Sequence, residues 1–289
     1  MDTQLTITKD NFESNAAALG MVSDTGSSGK KSTLSRLRIF NQGVKVKQNN
    51  KNVEVVPAGY FRVQTPDENE YYAEKVVLRP FFQRFMLKMW DTSKKSFCKT
   101  IMSNDLNIDL KDTFGGFNCG KPSGYIKDFN ALSDTMKDKI RQIKRVRAIF
   151  GEVELINPID SNGENVELTK HSVIWEVDNR EAFKRMGEPF KSFMSKKQYP
   201  FFFNIELASE EMDLPTGGSY FLPIPTLNPK PTITELTDKD QATLTDFMEW
   251  VANYNKYVFS EWDKNSSGSS FDEQADEIVD QFIDVKDES

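Results

Sequence analysis

Between residues 75 and 90 the chain reads Lys75-Val-Val-Leu-Arg79-Pro-Phe81-Phe82-Gln-Arg84-Phe85-Met-Leu-Lys88-Met-Trp90, with cations interleaved among aromatic rings. Cations of this kind suit a row of phosphates and rings suit the flat faces of bases, each stacked base being worth about 1–3 kcal/mol. Residues two apart in a strand share a face, which sets Arg79, Phe81 and Phe85 on one side and Phe82, Arg84 and Lys88 on the other. The same pattern also fits rings that fill a core while the cations stay outside it. A second cluster, Lys137, Lys139, Arg141, Lys144, Arg145 and Arg147, sets six cations in eleven residues with Asp138 the single acid among them. Arg145 and Arg147 share a strand face with Arg141 just before them, an arrangement suited to a phosphate track or, more plainly, to a solvated helix end and strand.

The remaining chemical motifs are incomplete. Gly115-Gly-Phe-Asn-Cys-Gly120-Lys121 has the spacing of a nucleotide phosphate loop, but Pro122 stands where the magnesium-holding Ser or Thr belongs. Its glycines, with Lys121, Lys127, Phe117 and Tyr125, still suit a backbone phosphate; the plain reading is an irregular surface loop. Asp24-Thr-Gly-Ser-Ser28 matches the short signature around an aspartic-protease carboxylate, yet occurs once, without the apolar strand that buries a dyad. His171 lies between Lys170 and Ser172 with no nucleophile motif nearby, which reads as a surface histidine. Two cysteines, Cys98 and Cys119, and one histidine cannot build a disulfide framework or a four-ligand Cys/His zinc site. Each cysteine reads as a small buried hydrophobe. No calcium-type loop occurs, and the sequence implies no enzyme, cofactor or metal.

Charge is distributed in three blocks. Residues 1–150 carry 25 Lys and Arg against 16 Asp and Glu, residues 151–270 carry 11 against 20, and residues 271–289 carry one Lys against 8 acids. A basic half that suits a polyanion therefore precedes an acidic tail able to compete for the same surface. In that tail Phe271, Ile278, Phe282 and Ile283 are hydrophobes set among acids, a composition suited to docking on a partner; a simple disordered terminus is the other reading. The start has no apolar run of signal-peptide type and nowhere do eighteen apolar residues run together, so a cytoplasmic chain that does not span a membrane is expected.

The elements that must hold these residues read as α+β. Residues 1–33 form an expected mobile arm, 34–264 a folded body, and 265–289 a Ser/Gly linker and acidic tail. Valines around Gln48-Asn-Asn-Lys-Asn52 predict a hairpin over 43–65, and 71–90 with 97–103 a second. Residues 112–125 read as a long irregular loop. A strand over 146–156 changes face near Gly151, where a bulge or bend is expected; 173–177 is another strand, and 201–207 pairs with 219–224. The four prolines of 223–231 predict an extended crossing. Helices are expected near 129–140, over 180–196 with Asn179 as cap and Pro189 as interruption, and over 237–262 with Thr237 as cap. The last presents Leu244, Phe247, Met248, Val251, Tyr254 and Val258 on one face.

A basic aromatic body, a Ser/Gly spacer and an acidic tail with a late aromatic together resemble the single-stranded-DNA-binding proteins of bacteriophages. The resemblance is one of layout across body and tail, and Phe282 stands seven residues before the end instead of at it. It implies an antiparallel OB-type β-barrel over about 43–225, elaborated by helices, that coats and protects single-stranded DNA during replication, recombination and repair. Arg79, Phe81, Phe82, Arg84, Phe85 and Lys88 would lie in or near the groove, with Lys121 and Tyr125 beside it and Arg141, Lys144, Arg145 and Arg147 extending it. The tail would recruit replication proteins such as a polymerase or helicase-primase in the host cytoplasm, and self-association is left open. The competing expectation is a phage structural or assembly protein that works through protein contacts.

Overall fold

The computed structural model describes residues 34–48, 51–122, 126–168, 170–215 and 217–266. The expected N-terminal arm, the Asp24–Ser28 motif, Tyr125 and the tail hydrophobes Phe271, Ile278, Phe282 and Ile283 lie outside them. In chain order the strands are β1 (Ser35–Ile39), β2 (Val44–Gln48), β3 (Lys51–Val56), β4 (Phe61–Gln64), β5 (Glu70–Ala73), β6 (Lys75–Asp91) and β7 (Ser96–Lys99). Then come α1 (Asp134–Gln142), β8 (Lys144–Ile156), β9 (Ile159–Asp160), β10 (His171–Val177), α2 (Arg180–Arg185) and α3 (Gly187–Ser195). The chain continues through β11 (Ile205–Asp213), β12 (Ser219–Leu227) and α4 (Asp238–Ser266). The architecture is α+β, as the sequence indicates.

Ten strands form one sheet in the order β12-β11-β6-β8-β10-β1-β4-β5-β9, with β7 also on β6; β2 and β3 make a separate hairpin. Among the described strands only the β1–β10 pair is parallel. The expected barrel does not close: β12 and β9 end the sheet without pairing to each other. Pro223 and Pro225 lie inside β12 and supply no N–H, which confines that strand to an edge. The sheet instead curls until its sides meet through isolated contacts. Phe221 N donates to Asn41 Oδ1 at 3.2 Å, and Ser209 Oγ donates to Gly59 O at 2.6 Å.

The long strand β6 carries the bulge expected near Gly151, but on the opposite strand. Pairing with β8 shifts between Pro80 and Phe82, where Pro80 faces Gly151. A Cβ on Gly151 would lie 2.5 Å from Arg79 O, so glycine is what lets the kinked β6 approach. Two cores result. On one face Leu78, Ile149, Val153 and Trp175 pack with Ala182 of α2, Met186 between the helices, and Phe190 and Phe193 of α3. On the other, Phe81, Met86, Ala148 and Phe150 meet Phe247, Val251, Tyr254 and Val258 of α4. The predicted face of α4 holds except at Met248, which is 54 % exposed.

Local signals place the helix starts. Asn179 Oδ1 accepts from Glu181 N and Ala182 N at 2.9 and 3.1 Å, as expected of a cap. Thr237 and Asp240 exchange hydrogen bonds at the start of α4: Thr237 Oγ1 accepts from Asp240 N, and Asp240 Oδ2 accepts from Thr237 N at 2.9 Å. The 180–196 segment breaks at Met186 and Gly187 instead of at Pro189, because Pro189 falls in the first turn of α3, where its missing N–H has no partner to lose. No helix among the described residues is long and apolar enough to cross a membrane.

Candidate nucleic-acid interface

Four of the predicted binding side chains are committed to the fold. Arg79 has a side chain 12 % exposed, with Nη1 at 3.2 Å from Glu152 and 2.8 Å from Asp240. Its Nε donates to Phe201 O at 2.9 Å, so one guanidinium ties β6, β8, α4 and the turn before β11. Phe81 is 2 % exposed and meets Phe247 edge-on at 5.5 Å. Lys88 is buried and lies 3.4 Å from Asp178, which also holds Lys144 at 3.1 Å. Burial opposes ionisation of Asp178, but these two lysines outweigh it and hold its carboxyl below the usual range. Arg147 is buried beside the rings of Phe183, Phe85 and Phe190, with its guanidinium 4.4, 5.0 and 5.9 Å from their centres. Burial pulls its pKa down to about 10. Strand alternation anticipates a solvated face, but β6 and β8 are central and covered on both faces, which internalises these four.

Of the other predicted residues that the structure describes, Phe82 and Arg84 stand at one place, Lys121, Arg141, Lys144 and Arg145 at another, and half-buried Phe85 between them. The first is an apolar cleft of about 400 Å³ beside residues 81–84 of β6. There β6 has left β11, whose pairing covers only Val76, Val77 and Leu78, and has not yet met β7, whose pairing begins at Lys88. The cleft lies between this stretch, α3, the 3-10 turn Pro200–Phe202 and the start of α4. Phe82 stacks on Phe150 with ring centres 4.9 Å apart, and the Arg84 guanidinium covers its other neighbourhood at 4.6 Å. Arg84 donates to Gln83 O at 2.9 Å and has no acidic partner among the described residues. Burial lowers its pKa.

Sequence reasoning missed the opposite wall. Tyr199, 65 % exposed, stacks on Phe201 with centres 5.3 Å apart and planes 8° from parallel. Met194, 76 % exposed, and Met248 stand on the rim, and Gln83 and Gln198 supply amides. The signal was the run Lys196-Lys-Gln-Tyr-Pro-Phe-Phe-Phe203, which resembles the entry to a buried strand. Pro200 instead opens a short turn that lifts Tyr199 outward.

The second place is a group of cations at the turn Asn118–Gly120. Lys139 Nζ lies against Gly120, where an added Cβ would come within 2.3 Å of it. Burial and the nearby charge of Arg145 lower the pKa of Lys121. Their basic neighbours have acids: Lys137 with Asp134, Arg141 with Asp138 at 2.8 Å, and Lys144 with Asp178. Lys121, Lys139 and Arg145 have none among the described residues, so an anion placed there would relieve their mutual repulsion.

Arg84 and Arg145 do not lie on one continuous face. Arg84 pairs with Ala148 and projects toward α4, whereas Arg145 pairs with Leu87 on the reverse face. On that reverse face Leu87, Phe85 and Gln83 succeed one another along β6 between the cation group and the cleft edge, with Leu87 buried. Half-buried Phe85 is the ring on that path, tilted against Phe183 at 6.0 Å.

The phosphate-loop resemblance has a structural explanation. Asp112 Oδ1 accepts from Phe114 N and Gly116 N at 3.0 and 3.1 Å, and Oδ2 accepts from Cys119 N at 2.9 Å. A buried carboxylate thus occupies the amides that a phosphate would need. The loop is fixed further by Trp262 Nε1 on Gly116 O and by Asn265 Nδ2 on Thr113 O, at 2.9 and 2.8 Å. Next to it Phe117 stands exposed against Trp262, with Lys111 Nζ 3.7 Å from the indole centre.

Cys98, Asp112 and Cys119 bring their donor atoms within 4.8 Å of one another. Asp112 is already saturated with N–H groups, and Cys119 Sγ donates to Cys98 O at 3.4 Å. The hydrogen bond with Cys98 and burial push the Cys119 thiol upward, away from the thiolate a metal requires. His171 is half-buried and stacked on Tyr71, with its pKa lowered by burial. Comparison with protein-family models, curated proteins and solved structures finds no match to this chain.

Proposed function

We propose that the chain binds single-stranded nucleic acid, with bases entering the cleft beside β6 and the backbone passing Phe85 toward Lys121, Lys139 and Arg145. The observation that carries this reading is exposed Tyr199, stacked on half-buried Phe201, lining the same cleft as an Arg84 that has no acidic partner among the described residues, at a stretch of strand edge left open. An aromatic platform beside unneutralised cations meets the two needs of a flexible polyanion with flat bases. On this reading the curled sheet takes the part of an OB-type barrel, and the chain acts as a phage-type single-stranded-DNA-binding protein in replication, recombination and repair. The acidic tail then competes for the cations and recruits replication proteins.

Titration of labelled oligo-dT with the full chain tests the reading. Affinity falls with a log–log salt slope of about −0.7 for each phosphate neutralised. Absence of binding, or affinity indifferent to salt, overturns it. Truncation after Ser270 removes 8 acids and one Lys and tightens binding at low salt. An assembly protein would instead lose oligomers with no change toward DNA.

A further inference from the structure

The polar groups of the cleft are oriented, and their orientation specifies what they recognise. A guanidinium can only donate hydrogen bonds, so the atom of Gln83 facing Arg147 Nη1 must be its carbonyl Oε1. That contact fixes the amide: Gln83 lines the cleft, and its Nε2, a donor, has no partner among the described residues. Arg84 is also donor-only: one N–H reaches Gln83 O, and the others have no partner among the described residues. The two side chains whose orientation is set in this otherwise apolar cleft, Gln83 and Arg84, therefore both present donors.

Resting on the strand-binding reading above, we infer that the cleft selects bases whose group at pyrimidine position 4 or purine position 6 is a carbonyl over bases whose group at that position is an amine. Thymine and uracil present O4 and guanine presents O6, each an acceptor for Gln83 Nε2 or Arg84. Cytosine N4 and adenine N6 present donors there. A donor turned toward a donor leaves both unpaired in an apolar site, which is the stronger part of the discrimination. Tyr199, exposed and backed by Phe201, holds any base by its face, so selection comes from the edge alone.

The test compares oligo-dU with oligo-dC of equal length, which differ in the base at the 4-position group and the adjacent ring nitrogen, using the full chain. Oligo-dU binds roughly tenfold tighter, the effect of a well-placed base-edge contact. In Gln83→Glu one carboxylate oxygen still accepts from Arg147 while the other offers an acceptor to the cleft, so the preference reverses toward oligo-dC. Equal affinity for the two oligonucleotides overturns the selectivity and leaves strand binding standing, as does a dU preference that Gln83→Glu leaves unchanged. Failure of both to bind removes the strand-binding reading and the selectivity with it. If Gln83→Glu loses its cooperative melt, Arg84→Gln serves instead: a shrunken dU preference supports the inference, and the full preference overturns it.

Discussion

Arg79→Met separates a structural cation from a binding one. The sequence pattern makes Arg79 a groove residue, whose loss would weaken nucleic-acid binding and leave the fold intact. In the structure its guanidinium is held between Glu152 and Asp240, so its removal strands two buried carboxylates. Breaking one side of a buried pair costs about 3–5 kcal/mol. Asp240 supplies an independent measure. Burial opposes its ionisation, but Arg79 and Thr237 outweigh that and hold its pKa at about 2 against an ordinary 3.8. A folded pKa below the unfolded one contributes stability that is present above about pH 4 and is lost as pH falls through about 2. At about 1.36 kcal/mol per tenfold in proton affinity, the contribution is about 2–3 kcal/mol. Urea denaturation of wild type and Asp240→Asn measures it: the gap is about 2–3 kcal/mol near neutral pH and nearly closes near pH 2. A gap that persists unchanged at low pH refutes the clamp. So does an Arg79→Met protein of wild-type stability that has lost its affinity for DNA.

Three further outcomes follow from the same geometry. Tyr199→Ala weakens oligo-dT binding by about 1–3 kcal/mol, read by fluorescence anisotropy, with its melting temperature unchanged because the ring is exposed. Replacing Lys121, Lys139 and Arg145 together by Gln makes the salt slope shallower by about 0.7 if the group holds one phosphate and by about 2 if it holds three. Thermal melting shows no loss of stability in that variant, since it relieves like-charge repulsion. Gly151→Ala destabilises the fold by about 1–3 kcal/mol in urea denaturation, because its Cβ would meet the Arg79 carbonyl at 2.5 Å and backbone must move.

What the sequence made legible was local. Asn179 and Thr237 cap helices because a capping side chain needs only its own next turn, and the apolar stripe of α4 follows from helical spacing. The kink at Gly151 was readable as an irregularity, but not its assignment to Pro80–Phe82 on β6, which is 70 residues away in the chain. Closure of the sheet was misjudged because it depends on which edge β11 and β12 take. That is settled by the short contact of Ile205, Glu206 and Leu207 with β6 and by two prolines in β12. Arg79, Phe81, Lys88 and Arg147 were assigned to a groove because alternation says which residues share a face and not whether that face is covered. Here α4 covers one face and α2 with α3 the other. The site was half legible: Phe82, Arg84, Lys121 and Arg145 remain accessible, whereas Tyr199 and Phe201 were hidden in a run that reads as core.

The central claim is that bases stack at the Tyr199 wall of the cleft. Photocrosslinking of an oligo-dT carrying 5-iodouracil at single positions, followed by peptide mapping, tests it directly. The account predicts crosslinks within residues 196–203, centred on Tyr199, that disappear in Tyr199→Ala protein. Crosslinks confined to other parts of the chain, with residues 196–203 unmodified under saturating oligonucleotide, would contradict it.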